Sequence, residues 1–335
     1  MLQRVATDDE IKALNDLLAK ARRVLAIAHI NPDGDAIGSL TSVGLAMEAL
    51  GKQVTLVTDD GSPSRFSFLP RADKVQNYVD SDIHYDLVIA VDCGDMSRMG
   101  HSFTTLPEPK PPIINIDHHV TNTRFGDVNI VASECNSTTE ILYHLLPQLG
   151  VSISKPLATS LLTGIVTDTL GFRTVGVNSN TFSAASVLMD AGADLQLIMT
   201  QALLLKPLST YRLWQIGLDN MKLEEEGLLW SSISKAEQEA IGYRGSSSGG
   251  LVNMLANVEE AVMSAVLIED EGKVYVGFRC RPPFSVAELA LNLGGGGHSL
   301  ASGCTLEGTL RDVESLVVSM SKESIRQQRE LLSSE

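Results

Sequence analysis

Between about residue 24 and residue 190, short apolar runs alternate with longer segments of helical periodicity, and this alternation is the strongest constraint on the fold. The runs are Val24–Ala28, Val54–Thr58, Leu87–Val91 and Ile113–Ile116. Helical patterns cover Ile37–Leu50, Thr138–Leu149, Leu157–Val166 and Thr181–Ala191. Such an order predicts an α/β domain built on a parallel sheet. Ahead of it, Thr7 and Glu10 have capping-box spacing, and Ile11, Leu14, Leu17, Leu18 and Ala21 make a stripe. A capped helix is therefore expected there, not a signal peptide.

The chain has 335 residues, more than twice the roughly 150 of a typical domain, so two domains are expected. The first is placed at residues 1–194. Residues 195–222 carry helical patterns, Leu195–Leu205 and Leu208–Met221, broken by Pro207, and read as a helical connector. A smaller α/β domain follows at residues 223–335, with strands at Leu228–Ile233, near Ser264–Ile268 and at Lys273–Arg281. It also holds a loop at Gly245–Gly250 and a helix at Val286–Leu293 that runs into the glycine tract Gly294–Gly297. A cleft between the two domains is the expected place for a substrate.

The net charge of −15 argues against any partner that needs many phosphates neutralised, such as a long duplex. A short anionic substrate stays compatible if bound cations supply local positive charge. The four cysteines, Cys93, Cys135, Cys280 and Cys304, form no C-x-x-C pair, which fits a reducing compartment better than a disulfide framework or a zinc ribbon. No uncharged apolar run reaches the ~18 residues of a membrane span, so no membrane association and a cytoplasmic location are expected.

Acids and histidines fall at the ends of the apolar runs. The first run leads into His29-Ile-Asn31-Pro-Asp33-Gly-Asp35, the third ends in Asp92-Cys-Gly-Asp95, and the fourth in Asp117-His118-His119. In an open parallel sheet the carboxyl ends of the strands share one edge, where ligands bind. Carboxylates gathered there would repel one another and take up protons unless cations join them. Mixed carboxylate and imidazole ligands suit Mn²⁺ or a similar ion. Asp33 and Asp35 are placed to serve two neighbouring ions, which suggests a two-metal hydrolase.

These residues, with Asp168 in Gly-Ile-Val-Thr-Asp-Thr, resemble the four motifs of the DHH phosphoesterase superfamily. Gly294-Gly-Gly-Gly-His298 with Ala301 and Gly303 resembles the signature of its associated C-terminal nucleotide-binding domain. The length and domain pair are similar to the bifunctional oligoribonuclease and pAp phosphatase group. The resemblance implies two Mn²⁺ ions, with His29 and Asp33 on one, Asp35, His118 and Asp168 on the other, and Asp92 bridging both. It implies a hydroxide held between the ions and attacking phosphorus in line. His119 would bond the phosphoryl group, Asp117 would orient a neighbouring histidine, and Asn31 would touch substrate or a metal-bound water. A homodimer is compatible with this group.

The glycine tract lacks a Walker lysine, so it is not an ATPase loop. Read as amides at a helix start, Gly294, Gly295, Gly296 and Gly297 would favour an anion. With His298 and Arg279 they would hold the far phosphate or sugar of a nucleotide, and Arg281 is a weaker candidate. Arg98 and Arg173 are read as ion-pair residues in preference to phosphate ligands, Ser137-Thr-Thr as a helix cap, and His84, His101 and His144 as surface or packing residues. Departures at Ser299–Ser302 and Leu170 leave the substrate open. Short oligoribonucleotides and pAp lead, cyclic di-AMP or the linear dinucleotide pApA is the rival, and a non-catalytic nucleotide sensor would need a metal ligand missing, whereas none is.

Overall fold

Every residue of the strand Val24–Ala28 is buried, and alternate side chains feed two separate cores. Val24, Ala26 and Ala28 pack on one face with Leu40, Ile141 and Leu161, while Leu25 and Ile27 pack on the other with Val88, Ala90 and Phe103. A strand covered on both faces has no polar side, which is why it reads as a continuous run. The protein is described here from a computed structural model covering residues 3–80 and 82–334. It divides into two units, the first ending at Leu205 and the second beginning at Lys206.

The first unit runs α1 (Asp8–Lys20), β1 (Arg23–Ala28), α2 (Gly34–Ala49), β2 (Gln53–Val57), β3 (Val75–Gln76), β4 (Leu87–Val91), α3 (Gly100–Thr104), β5 (Ile113–Asp117) and β6 (Val128–Val131). It continues with α4 (Thr138–Leu145), α5 (Lys155–Asp168), α6 (Ser179–Asp190) and α7 (Leu195–Ile198). Thr7 and Glu10 close the capping box at the start of α1. The sheet order is β3-β2-β1-β4-β5-β6 with every pair parallel. The order reverses between β1 and β4, and a crevice forms at such a switch point outside the carboxyl ends of the strands. Ala28 pairs with Val91, and Val91 with Ile116, so His29, Asp92 and Asp117 emerge side by side.

Helices α2 and α5 cross at glycines. A Cβ on Gly38 would lie 2.8 Å from Ser160 O, and one on Gly34 would lie 2.4 Å from the Thr167 side chain. The absence of side chains there lets the two backbones approach, bringing the first turn of α2 near the last turn of α5. Asp35 and Asp168 sit on those turns.

The helical connector expected at 195–222 is not a separate element. Ile198 is buried in the first unit's core, and Ala202, in a π-type turn at Met199–Leu204, packs with Ile37 and Phe66. Leu213 instead packs in the second unit with Leu229 and Leu251. Each half of the segment has its own apolar stripe committed to a different core, and Pro207 lies next to the division.

The second unit runs α8 (Leu208–Asp219), β7 (Lys222–Leu223), β8 (Leu228–Ile233), α9 (Lys235–Ala240), α10 (Leu251–Leu255), β9 (Met263–Asp270) and β10 (Lys273–Cys280). It ends with α11 (Ala287–Asn292), β11 (Gly296–His298), β12 (Ala301–Glu307) and α12 (Leu310–Ser334). Its sheet order is β11-β12-β10-β9-β8-β7, parallel only between β8 and β9. Among the described residues, no single helix is long and apolar enough to cross a membrane.

The glycine tract does not open a helix. It follows the end of α11, where the amides of Gly294 and Gly295 donate to Leu291 O (2.9 Å) and Ala290 O (2.8 Å), and it continues into the edge strand β11. Those two amides close a helix C-terminus and do not point at an anion. The glycines serve close approach instead: a Cβ on Gly295 would lie 2.1 Å from Gly303 O, and Gly297, at φ +140°, would meet Ala301 O at 2.6 Å.

Candidate active site

The carboxyl end of β1 carries His29, which is 5% exposed. Its Nδ1 lies 2.7 Å from Ile30 O, and a carbonyl only accepts, so Nδ1 carries a proton. Nε2 then faces Asp92 Oδ2 at 3.5 Å and Asp33 Oδ1 at 3.8 Å. Asp33 caps α2, its Oδ1 accepting the amides of Asp35 and Ala36, each at 3.0 Å. A single turn thus aims a histidine and a carboxylate at the same point.

Asp35 is fully buried and held by the N-terminus of α4. Its Oδ2 accepts the Thr138 amide at 2.6 Å, and its Oδ1 accepts the amide and hydroxyl of Thr139 at 3.0 and 2.8 Å. Helix N-termini favour carboxylates in this way. The Thr138 hydroxyl also donates to Asp92 Oδ1 at 3.0 Å. Asp92 itself adopts φ +58°, a left-handed conformation uncommon outside glycine, at the point where β4 turns away from the sheet.

At the end of β5, His118 Nε2 lies 3.2 Å from Asp168 Oδ2 and 3.7 Å from Asp92 Oδ1. Asp117, fully buried, accepts from His119 Nδ1 at 2.7 Å and from Asn122 Nδ2 at 2.6 Å. The histidine that Asp117 orients is therefore His119. Ligand atoms converge in three groups, each within 4.8 Å: His29, Asp33 and Asp92; Asp35, His118 and Asp168; and Asp92, His118 and His119. Asp92 approaches a histidine from each of the first two groups.

The electrostatics of the site fit a bound cation. Burial pushes Asp35 and Asp168 well above the usual carboxylate range, and the nearby charges, including Asp92 and Asp33, add to this. Burial opposes a charge on His29, but Asp33 and Asp92 outweigh it and hold the imidazolium up to about 10. Burial likewise opposes a charge on Asp33, yet His29 and two backbone amides hold that carboxyl down at about 2. His118 is lowered, first by burial. Divalent cations would offset this crowding of buried negative charge, and the carboxylate and imidazole donors match a Mn-like ion.

Asn31 is exposed, with φ +53°, and its backbone amide donates to Asp60 Oδ2 at 2.6 Å. The ion pairs expected for Arg98 and Arg173 are not formed among the described residues. Arg98 Nη2 sits 3.2 Å from His29 Nδ1, and Arg173 Nε donates to Leu170 O at 2.8 Å. Three supporting residues escaped the sequence reading: Thr138 and Thr139, read there only as a cap, and Asn122. A polar residue five positions after Asp117 was the only available signal for Asn122.

In the second unit, Arg279 donates to Asn253 Oδ1 at 2.7 Å and to its neighbour Phe278 O at 2.8 Å. With Ser246, Ser247, Ser248, Gly294 and Gly295 it lines an open hollow of ≈ 520 Å³. Gly296, Gly297 and His298 lie on the neighbouring edge strand, with His298 exposed. Arg281 is turned to the carbonyls of Glu259, at 2.8 Å, and Ala261.

A parallel sheet gathers histidines and carboxylates at its switch point, and a second α/β unit follows it in the chain. The DHH family, N-terminal domain, matches residues 23–165 and the DHHA1 domain matches residues 234–325. The bifunctional oligoribonuclease and PAP phosphatase NrnA of Thermus thermophilus is 33% identical over 90% of this chain and 89% of its own length. The cyclic-di-AMP phosphodiesterase GdpP of Geobacillus thermodenitrificans is 28% identical over 85% of this chain and 45% of its own length. An exopolyphosphatase-related protein from Bacteroides fragilis superposes with a TM-score of 0.89 at 25% identity, covering 99% of this chain and 100% of that one. The chain belongs to the DHH family and is a hydrolase of phosphoric esters.

Proposed function

We propose that the chain hydrolyses short oligoribonucleotides and pAp, using two Mn²⁺ ions held by His29, Asp33, Asp35, Asp92, His118 and Asp168. The observation that supports the metal set is the convergence of these six side chains into two groups, with Asp92 reaching a histidine of each. The substrate reading is supported by the likeness, along nearly the whole chain, to a bifunctional oligoribonuclease and PAP phosphatase. A cytoplasmic location goes with it, since all four cysteines are unpaired.

When bound, two such ions would stabilise charge on the attacking and leaving oxygens of an in-line displacement. The chain's own residues supply the positioning. Asp33 is fixed by the amides it caps, Asp35 by the start of α4, and Asp92 by the Thr138 hydroxyl. Asp117 fixes the ring of His119 through a hydrogen bond at 2.7 Å that favours the protonated imidazole, the form that can donate to a phosphoryl oxygen. In the second unit, Arg279 and the serine and glycine loops around it would take the nucleoside end of the substrate, with His298 nearby.

The second reading, hydrolysis of cyclic di-AMP or pApA, is favoured by the likeness to the cyclic-di-AMP phosphodiesterase. A panel of pAp, pApA, cyclic di-AMP, pyrophosphate and RNA two- to five-mers, run on chelator-stripped protein with added Mn²⁺, separates the two. Turnover of pAp and short RNA supports the first reading. Turnover confined to cyclic di-AMP or pApA replaces it with the second.

A further inference from the structure

Arg98 closes the short turn Met96–Met99 that follows β4. Its backbone is tied on both sides: its carbonyl accepts the Ile30 amide at 2.9 Å, and its own amide donates to Asp95 O at 3.2 Å. Asp95 in turn caps the turn through the Ser97 amide at 2.8 Å. The guanidinium is thereby anchored to the same junction that carries His29, and Nη2 reaches within 3.2 Å of His29 Nδ1.

That approach is not a hydrogen bond. The Nδ1 proton is already directed at Ile30 O, so two N–H groups face each other, and a guanidinium has no acceptor. Among the described residues no carboxylate pairs with Arg98, although Asp33 and Asp92 both lie beside His29. An exposed cation held at the rim of a carboxylate cluster, yet paired with none of its members, keeps its fork of donors for an incoming anion.

We propose that Arg98 grips the phosphate undergoing hydrolysis, donating to its non-bridging oxygens on the side of His29, Asp33 and Asp92. It thereby favours a dianionic phosphomonoester over a monoanionic diester, because attraction to a fixed cation grows with substrate charge. The inference rests on phosphate-ester hydrolysis at this site and deepens that reading without depending on which nucleotide is preferred.

The test uses the full chain loaded with Mn²⁺ and the variants Arg98→Gln, Arg98→Ala and Arg98→Lys, with p-nitrophenyl phosphate and bis-p-nitrophenyl phosphate as monoester and diester. For Gln and Ala, kcat/KM on the monoester should fall by about 10- to 100-fold, the range of a charged hydrogen bond. The loss on the diester should be smaller. Lys should recover part, since it keeps the charge but not the fork. Mn²⁺ affinity and thermal midpoint should not move, which separates gripping substrate from orienting His29. Binding of inorganic phosphate, which needs no turnover, should weaken about tenfold or more in Arg98→Gln. Unchanged phosphate binding, equal losses on the two esters, or a loss of Mn²⁺ affinity in step with activity would each overturn the proposal. Failure on nucleotides alone would overturn the nucleotide reading and leave the phosphate result standing.

Discussion

The hydroxyl of Thr138 donates to Asp92 Oδ1 at 3.0 Å while the amide of the same residue donates to Asp35 Oδ2 at 2.6 Å. One residue at the start of α4 therefore holds two of the site's carboxylates, from α2 and from the end of β4, in fixed relation. Partners of this kind set ligand orientation as firmly as the ligands themselves.

Thr138→Val keeps the shape of the side chain and the amide but removes the hydroxyl. Asp92 loses its fixed rotamer, so kcat should fall about 10- to 100-fold and Mn²⁺ binding should weaken, with the fold intact by circular dichroism. Wild-type turnover in this variant would mean that Asp92 is held by its backbone alone.

Gly164 faces the same residues from α5. A Cβ there would lie 2.2 Å from Thr139 Oγ1 and 2.4 Å from Asp35 Oδ1. Gly164→Ala should destabilise the chain by about 1–3 kcal/mol, the usual cost of overpacking, measured by urea unfolding, and should also weaken Mn²⁺ binding. Loss of stability with unchanged metal affinity would confine Gly164 to helix packing.

These two residues show where sequence reading reaches its limit. The central strands were legible because burial on both faces leaves no polar residue in them, and their terminal Asp and His residues followed from the parallel sheet. β3 and β6 are a two-residue and a four-residue strand at the sheet edges, too short to stand out. The ties at Thr138 and Thr139 were hidden because half of them are made by backbone amides, which carry no sequence signal, and the two hydroxyls read equally well as helix caps. The glycine tract was legible as a close approach but not as to what it approaches. Its amides close α11, and its Cα atoms press on β12.

His144 is 1% exposed, its Nδ1 accepts the Gln3 amide at 2.9 Å, and its Nε2 has no hydrogen-bond partner among the described residues. Burial lowers its pKa from 6.5 to about 4. Above the unfolded value both states are neutral and no penalty exists. As pH falls from about 6.5 to about 4, only the unfolded chain takes up the proton, so stability is lost across that window, by about 1–3 kcal/mol. Thermal midpoints of wild type and His144→Gln between pH 7 and pH 4 check this. The variant should show the shallower decline, and parallel curves would assign the acid sensitivity elsewhere.

Arg279→Ala and His298→Ala test the part assigned to the second unit. Both should lower kcat/KM on pAp or a dinucleotide strongly, because remote binding energy aligns the reacting phosphate. Bis-p-nitrophenyl phosphate, with no nucleoside to grip, should lose little, and metal content should not change. Equal losses on both substrates would show that these residues hold the fold and not the nucleotide.

The central claim is that the six converging side chains hold two divalent ions without which no ester is cleaved, and the most direct measurement counts those ions. Chelator-stripped protein should be inactive, and Mn²⁺ should restore it better than Mg²⁺ or Ca²⁺, as the imidazole ligands favour the softer ion. Bound Mn²⁺ at full activity should reach two per chain, while Asp92→Ala, which removes the carboxylate placed toward both, should leave almost no turnover. Full activity in excess EDTA, or saturation of activity at a single bound ion, would contradict the account.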